Sequence, residues 1–450
     1  MRRKIYDELL RWKERSRGES ALLVQGARRV GKSYIVEKFA KNEYKSYILI
    51  DFNKAEQTVK DMFLYDLNDL DVFFFKLSTY YAGKLYERES LIILDEVQLF
   101  PRARSAIKYL VADGRFDYIE TGSLISIREN VKDILIPSEE DHIEMYPMDF
   151  EEFLWAMGDE AMPDLMRFCY DRRKPLGQAL HRKAMDLFRQ YLIVGGMPQA
   201  VAAFVKNRDF EKVERVKQRI LKLYREDIRK HASGYEMKVE AIFDEIPSQL
   251  KNQNRRFKLS ALETGARFEK YQEALFWLSD AMIVNNCFNS TEPSAGLNLN
   301  RDRTLLKCYM ADTGLLVSHA FADNGMVGND VYKKIMFDKL EVNMGMIVEN
   351  CVAQMLVASG HKLFFYSNSS RDDAASRMEI DFLIAKDKIS SRHNISPIEV
   401  KSGKNYTLSS LRKFRDKYGR QLYISYVLHP ADFKEEDGIV YLPLYMTHLL

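Results

Sequence analysis

The sequence has little of what would indicate a metal-clustered, secreted or membrane protein. Its four cysteines (Cys169, Cys287, Cys308 and Cys351) lie far apart and form no CxxC pair, so neither a zinc cluster nor a redox dithiol is predicted. No run of about 18 apolar residues is present, and the charged segment at residues 1–16 lacks the apolar core of a signal peptide. We therefore expect no membrane span and a cytoplasmic location.

Neither positively nor negatively charged residues are in large excess. The 68 Lys and Arg residues against 65 Asp and Glu give a net charge of +3, which by itself indicates neither nucleic acid nor an acidic membrane as a partner. Internal repeats and low-complexity tracts are absent as well. With 450 residues, the chain is long enough for about three domains, each with its own apolar core.

Short apolar runs near residues 20–25, 46–50, 91–94 and 116–120 alternate with helical stretches. This alternation predicts a parallel sheet with helices on both faces. The pattern changes at Pro147, after which Asp149 and Glu152 have the spacing of a helix capping box.

Residues 26–33, GARRVGKS, fit the pattern GxxxxGK[ST] between a predicted strand and a predicted helix. The two glycines allow backbone N–H groups to face phosphate oxygens, the lysine suits the β- and γ-phosphates, and the serine hydroxyl suits Mg²⁺. Arg28 and Arg29 either flank the phosphates or face solvent. The residues predicted to bind nucleotide here are Gly26, Ala27, Arg28, Arg29, Val30, Gly31, Lys32, Ser33 and Tyr34.

Two further strand ends are expected beside this loop. In LIILDEVQ (91–98), Asp95 would hold Mg²⁺ through water and Glu96 would polarise the attacking water, because ligands bind at the carboxyl ends of strands in open α/β sheets. In ETGS (120–123), Thr121 and Ser123 either contact the γ-phosphate or cap a turn. Arg128 is a weak candidate for an arginine finger.

The middle of the chain resembles a winged helix at residues 258–279, with capping-box spacing at Ser260 and Glu263 and a turn at Gly265. The basic stretch at 251–258 would suit DNA better than the acidic second helix, and a purely architectural role is an open alternative. Residues 289–303 are the predicted linker or wing.

Two predicted strands near the C-terminus, MEIDFLIA (378–385) and PIEVKSG (397–403), bring together carboxylates and an ammonium. Asp381 and Glu399 would bind Mg²⁺, and Lys401 would steady an attacking water or the developing charge. Glu349, on a helix predicted over 339–358, would be an additional metal ligand.

This order of elements resembles the PD-(D/E)XK nuclease core, followed by a stretch at 401–420 with seven Lys or Arg and one acid, which suits a phosphate backbone. The alternative is a solvated strand pair with a basic surface helix. Binding of DNA without cleavage is also open.

Taken together, the chain resembles bacterial and archaeal AAA-type ATPases that carry a C-terminal nuclease-like domain of unassigned function. The resemblance rests on GARRVGKS, LDEVQLFPRARSAIKYL, YIETGS, MYPMDFEEFLWA, YLIVGGMPQAV, LYREDI, KCYMADTGLL, EIDFLI and PIEVKSG. It implies ATP and Mg²⁺ binding by the N-terminal motifs and nuclease-type roles for Glu349, Asp381, Glu399 and Lys401. Many relatives have a Gly-Arg step that residues 124–146 lack, so no arginine finger is assigned.

The expected fold is therefore α/β, with four domains. These are a P-loop ATPase core (1–147), a helical subdomain (148–235), a winged-helix-like domain (236–303) and a nuclease-like domain (304–450). The expected function is Mg-dependent ATP hydrolysis coupled to a C-terminal domain that binds DNA and has a candidate cleavage site. The alternative is an ATP-gated switch whose nuclease-like domain only binds DNA or a protein, and a homo-oligomer is a further expectation.

Overall fold

The computed structural model describes residues 1–122, 138–252, 254–294, 296–321, 329, 343–368, 377–385, 393–403 and 405–450. The chain divides into two compact units. The N-terminal unit comprises Met1–Tyr146, Arg229–Ser233 and Asp280–Met282, and the C-terminal unit comprises Pro147–Ile228, Gly234–Ser279 and Ile283–Leu450. None of the described helices combines the length and the hydropathy that a bilayer crossing requires.

The N-terminal unit is built on a five-stranded sheet in which every neighbouring pair is parallel. Its strands are β1 (Ala21–Gly26), β2 (Ser46–Asp51), β3 (Ser90–Asp95), β4 (Asp117–Gly122) and β5 (Glu140–Met145), in the spatial order β2-β3-β4-β1-β5. The predicted parallel sheet is confirmed. Because β4 lies between β1 and β3, the carboxyl ends of these three strands are neighbours at one edge.

Helices cover both faces of this sheet. They are α1 (Ile5–Ser16), α2 (Lys32–Glu43), α3 (Gln57–Asp61), which continues as a π-helical turn (Met62–Asp66), α4 (Leu70–Tyr80) and α5 (Pro101–Asp113). Alternate residues of β1 pack into different cores, Leu23 into one and Leu22 and Val24 into the other. Burial on both faces explains why these strands read as continuous apolar runs.

In the described part of the chain, six helices follow the first sheet up to Lys251, and the first of them begins with the predicted capping box. The Asp149 side chain accepts from the backbone N–H of Glu152, and the Glu152 side chain accepts from that of Asp149. This first helix is α6 (Phe150–Ala156). It is followed by α7 (Ala161–Asp171), α8 (Gln178–Val194), α9 (Pro198–Asn207), α10 (Phe210–His231) and α11 (Glu236–Lys251).

The C-terminal unit contains an eight-stranded mixed sheet. Its strands are β6 (Val284–Ser290), β7 (Arg301–Met310), β8 (Phe364–Asn368), β9 (Met378–Ala385), β10 (Ile395–Val400), β11 (Ser425–His429), β12 (Lys434–Glu436) and β13 (Ile439–Pro443). The spatial order is β12-β13-β11-β10-β9-β8-β6-β7. The helices in this part of the chain are α12 (Phe268–Asp280), α13 (Thr313–Ala320), α14 (Met344–Ala358) and α15 (Ser409–Tyr418).

The structure differs from the expected domain division in the middle of the chain. The boundary expected after residue 303 falls inside β7, and β6 and β7 hydrogen-bond within the same sheet as the strands of the expected nuclease-like domain. The first helix expected before Gly265 is a single 3₁₀ turn, Leu259–Ala261. Residues 291–300 therefore connect two paired strands, apart from residue 295, which lies outside the described residues.

Candidate functional site

The loop between β1 and α2 depends on its two glycines for different reasons. A Cβ at Gly26 would lie 2.5 Å from the carbonyl oxygen of Met145 on the neighbouring strand, so only glycine fits there without a shift of backbone. Gly31 precedes α2 with a φ of 100°, in the left-handed region that favours glycine. The loop therefore leads from the carboxyl end of β1 directly into α2, whose first N–H groups point out of the helix end.

Lys32 is 8% exposed and is the first residue of α2. Its ammonium donates to the carbonyl oxygens of Gly26 and Ala27, at 2.8 and 3.2 Å. The charge is thus held inside the loop by neutral acceptors. A phosphate, as a charged acceptor, would form a stronger hydrogen bond to this ammonium than a carbonyl does.

Ser33, Asp95 and Thr121 meet at the carboxyl ends of the three neighbouring strands. The Ser33 hydroxyl donates to Asp95 Oδ1 at 2.7 Å, and the Thr121 hydroxyl donates to the same oxygen. Asp95 is 7% exposed and Thr121 is 1% exposed. Two neutral hydroxyls and a buried carboxylate are hard oxygen ligands of the kind that Mg²⁺ prefers, so the residues present fit this ion.

Glu96 follows Asp95 in the left-handed conformation, with a φ of 54°. A non-glycine residue in this region is uncommon, and such strain is concentrated at functional sites. The Gln98 side-chain amide donates to the Glu96 carboxylate, and the Glu96 backbone N–H contacts the Thr121 hydroxyl at 3.4 Å. These contacts fix the carboxylate at the same strand edge as Asp95.

The other residues predicted for this site divide into buried and exposed groups. Ala27 and Val30 are buried, whereas Arg28, Arg29 and Tyr34 are exposed at the loop surface. Ser123 and Arg128 lie outside the described residues.

Two residues of this site were missed by sequence reasoning. Arg3 donates to the backbone oxygens of Val30 and Tyr146, and so ties the loop to the chain just after β5. Gln98, the last residue of LIILDEVQ, donates a hydrogen bond to the Glu96 carboxylate. In the sequence, only the position of Gln98 two residues after the candidate base Glu96 pointed to this role. Nothing in the sequence pointed to the role of Arg3.

A buried polar group joins α5 to strands β4 and β5 of the first sheet. Arg104 of α5 donates to Glu140 at 2.7 Å, and its Nε lies 3.7 Å from Glu120 Oε2. Burial, with Glu140 beside it, raises the pKa of Glu120 well above its ordinary value. Burial acts in the same direction on Glu140, but hydrogen bonds from Glu120, His142 and Arg104 lower the pKa of Glu140 to about 2. Of the two acids, Glu120 is therefore the one whose surroundings favour the protonated form.

The C-terminal carboxylates do come together. β9 and β10 are antiparallel with Phe382 opposite Ile398, which brings Asp381 and Glu399 side by side. Asp381 accepts from the backbone N–H of Val400 at 2.8 Å, and Lys401 donates to Glu399 at 2.7 Å. Burial and then the charge of Asp381 raise the pKa of Glu399 to about 8.

A lysine that sequence reasoning missed lies among these carboxylates. Lys307 of β7 is fully buried, and its ammonium is 3.3 Å from Glu349, 3.2 Å from Glu379 and 3.8 Å from Asp381. Arg255 also pairs with Glu349. The basic stretch at 251–258 is a predicted DNA contact. At least one of its arginines, Arg255, lies instead in an internal ion pair.

The predicted magnesium set of Glu349, Asp381 and Glu399 does not fit this structure. Among the described residues, no group of three or more His, Cys, Asp or Glu side chains is placed to hold a metal ion. The chain's own cations compensate the charge of Glu349 and Glu399, and Lys307 approaches Asp381. We therefore derive no chemistry through a metal at this cluster.

A separate basic surface follows the cluster in the chain. Helix α15 buries Leu411 and Phe414 and turns Arg412 to solvent. A cavity of ≈ 380 Å³ lies at its end, lined by Arg412, Arg415, Asp416, Gly419, Leu422, Tyr423, Ser425 and Gly438. Tyr423 is 49% exposed there. Two guanidinium groups beside an exposed aromatic ring suit a phosphate and a stacked base.

Comparisons with known proteins divide the chain into three segments. The family described as "AAA domain" matches residues 18–154, a domain of unknown function (DUF8612) matches residues 185–325, and another (DUF4143) matches residues 344–446. No curated protein sequence matches the chain significantly.

Two similar solved structures are of archaeal proteins. A Walker-type ATPase of Pyrococcus abyssi is 14% identical with a TM-score of 0.40, covering 71% of this chain and 95% of its own. The Orc1 protein of Aeropyrum pernix, solved in complex with DNA, is 11% identical with a TM-score of 0.27, covering 72% and 94%.

The family match and the parallel sheet with its glycine loop agree on one assignment. Residues 18–154 match the AAA domain family and have the parallel sheet and glycine loop of a P-loop ATPase-like fold.

Proposed function

We propose that the chain binds ATP with Mg²⁺ at residues 26–33, hydrolyses it with Glu96 as the base, and thereby controls nucleic-acid binding by its C-terminal unit. The observation that carries the first part is the 2.7 Å hydrogen bond between Ser33 and Asp95. It joins a residue of the phosphate loop to the acid of a second motif, 62 positions later in the chain.

Each residue of the loop has a role that follows from its contacts. Lys32 would exchange the carbonyls of Gly26 and Ala27 for phosphate oxygens. The N-terminus of α2 favours an anion in front of it. When bound, Mg²⁺ would neutralise phosphate charge, held by Ser33 and, through water, by Asp95.

Glu96 is proposed as the group that orients the attacking water and accepts its proton. Gln98 holds one of its oxygens, so the carboxylate keeps a fixed direction while the other oxygen remains for water. Thr121 lies between Ser33 and Glu96, with its hydroxyl on Asp95 and near the Glu96 backbone. Thr121 would therefore link a bound γ-phosphate to both acids.

Nucleic-acid binding is proposed for the C-terminal unit because of the basic side chains of α15. Arg412 and Arg415 line one cavity with Tyr423, and this combination provides phosphate contact and stacking. The contacts of Lys307 and Arg255 favour binding without cleavage over metal-dependent cutting, since they compensate the acids that a nuclease would use for metal.

The experiment that tests ATP binding and hydrolysis compares Lys32→Ala with the control Lys41→Ala. Lys41 is an exposed lysine of the same helix, and it pairs with Glu37. ATP binding is measured by calorimetry and turnover by phosphate release. Lys32→Ala should abolish both, and Lys41→Ala should leave both intact. Undiminished affinity in Lys32→Ala would refute the assignment of this loop.

The nucleic-acid part is tested by incubating the full chain with labelled single- and double-stranded DNA and RNA, with and without Mg²⁺ and ATP. A nucleotide-dependent change in affinity with intact substrate supports the switch. Cleavage that Asp381→Asn abolishes would show that the nuclease alternative is correct instead.

A further inference from the structure

The carboxylates of the C-terminal cluster are arranged around a side chain of the protein rather than around an open space. Lys307 Nζ has oxygens of Glu379, Glu349 and Asp381 within 4 Å, at 3.2, 3.3 and 3.8 Å. These acids come from two separate elements, with Glu349 on α14 and the other two on β9. A divalent cation also requires acids that converge on one point, but at the shorter distance of about 2.0–2.6 Å, so these acids fit the ammonium as they are placed and would have to move inward to hold a metal.

The position of Lys307 is fixed by its strand. Lys307 and Tyr309 are two residues apart on β7 and so face the same side of the sheet. The Tyr309 hydroxyl donates to Glu349 Oε1 at 2.5 Å, the same oxygen that Lys307 contacts. Lys307 and Tyr309 are both fully buried, so neither can move to solvent without disrupting the strand.

The outer oxygens of two of these acids are also occupied by cations. Arg255 binds Glu349 Oε2, and Arg256 binds Glu379 Oε2 at 2.9 Å. Burial by itself would lower the pKa of the Lys307 ammonium, but Glu349, Glu379 and Asp381 raise it. Lys307 therefore stays charged, and its charge is matched by fixed acids.

We propose that Lys307 is a resident cation that takes the place of a divalent metal among Glu349, Glu379 and Asp381, so that the cluster excludes metal ions in the native protein. An ammonium cannot be shed into solvent as a bound ion can, because it is attached to β7. The cluster then stabilises the fold of this region at any Mg²⁺ concentration.

The test measures Mn²⁺ binding to the full chain without nucleotide, by electron paramagnetic resonance and calorimetry. The wild type should show no Mn²⁺ site that Asp381→Asn removes. Lys307→Met has a side chain of similar length without the charge, and it should gain such a site. The expected gain in affinity is at least about tenfold, equivalent to removing about 1.4 kcal/mol of repulsion.

Lys401→Met is the matched control, because Lys401 belongs to the same cluster but pairs with Glu399 instead. It should not create a Mn²⁺ site among the other three acids. The gained site should also disappear in the double variant Lys307→Met/Asp381→Asn. Circular dichroism and thermal unfolding, with and without Mn²⁺, show whether each variant is folded.

Two results would overturn the proposal. The first is a Mn²⁺ site in the wild type that Asp381→Asn abolishes, which requires no Lys307 variant to fold. The second is a folded Lys307→Met that binds no Mn²⁺. Should that variant fail to fold, Lys307→Met/Glu379→Gln removes one charge of each sign and carries the same expectation for the two remaining acids.

Discussion

The buried pair of Glu120 and Glu140 gives the sharpest test of the N-terminal unit. Both acids are beside Arg104, yet only Glu140 receives a close hydrogen bond from it, at 2.7 Å. Among the described residues, no N–H or O–H group donates to either oxygen of Glu120. Ionised Glu120 would thus be a buried charge without a donor, and so it keeps its proton.

This asymmetry predicts opposite outcomes for two chemically identical substitutions. In Glu120→Gln, the amide N–H can donate to Glu140 as the protonated acid does, and no proton has to be taken up on folding, so the free energy of unfolding should not fall and should exceed that of the wild type as pH rises above 4.5. Glu140→Gln removes the charge that Arg104 requires. A pKa of about 2 for Glu140, against an ordinary 4.5, corresponds to about 3 kcal/mol of lost stability near neutral pH.

The pH dependence separates this ion pair from a general packing defect. Because the folded pKa of Glu140 is depressed, its stabilisation is present above about pH 4.5 and is lost as pH falls towards 2. The difference in stability between wild type and Glu140→Gln should therefore shrink across this window. For Glu120, whose pKa is raised, stabilisation is instead present at low pH and declines as pH rises through the folded pKa.

The assay is thermal unfolding of the full chain by calorimetry across this pH range, with hydrogen exchange of β4 and β5 to assign the transition. For a unit of this size, about 3 kcal/mol should lower the melting temperature by roughly 10 °C. Equal losses in the two variants, or a gap that does not change with pH, would show that the charge assignment is incorrect.

Three further predictions concern function. Gly26→Ala should distort the loop and weaken ATP binding, because its Cβ would meet the Met145 carbonyl at 2.5 Å; unchanged affinity by calorimetry would contradict this. Glu96→Gln should retain bound ATP and lose most phosphate release, whereas normal turnover would show that another group is the base. Arg412→Ala/Arg415→Ala should weaken DNA binding and reduce its salt dependence without affecting ATPase activity, measured by fluorescence anisotropy and phosphate release.

The arrangement of the candidate nucleotide site could be predicted from the sequence because its parts are local. GARRVGKS contains the turn and the helix start in eight consecutive residues, and Asp95 directly ends an apolar run. Parallel strands then bring such ends to one edge whatever the details of packing. The hydrogen bonds of Asp95 to Ser33 and Thr121 follow from that general rule.

The C-terminal cluster could be predicted only in part. The spacing of Glu399 and Lys401, and their pairing with Asp381, follow from two neighbouring strands. Lys307 could not be assigned, since strand alternation places it on the same face as Tyr309 but does not say which elements that face meets. That depends on the order of eight strands and on α14, neither of which is a local property of the sequence.

The two acidic sites differ in where their positive charge comes from, and this difference decides what each can bind. Asp95 is contacted by the hydroxyls of Ser33 and Thr121, which donate hydrogen bonds but bring no charge. In the proposed function, a cation that arrives with a nucleotide would therefore meet a carboxylate whose charge neither hydroxyl has neutralised. Glu349, in contrast, already has Lys307 and Arg255 beside it, so an incoming cation would first have to displace a charge that the chain holds. A buried acid needs a partner. By this rule, the first site would depend on its proposed ligand, whereas the second cluster has its partners within the chain.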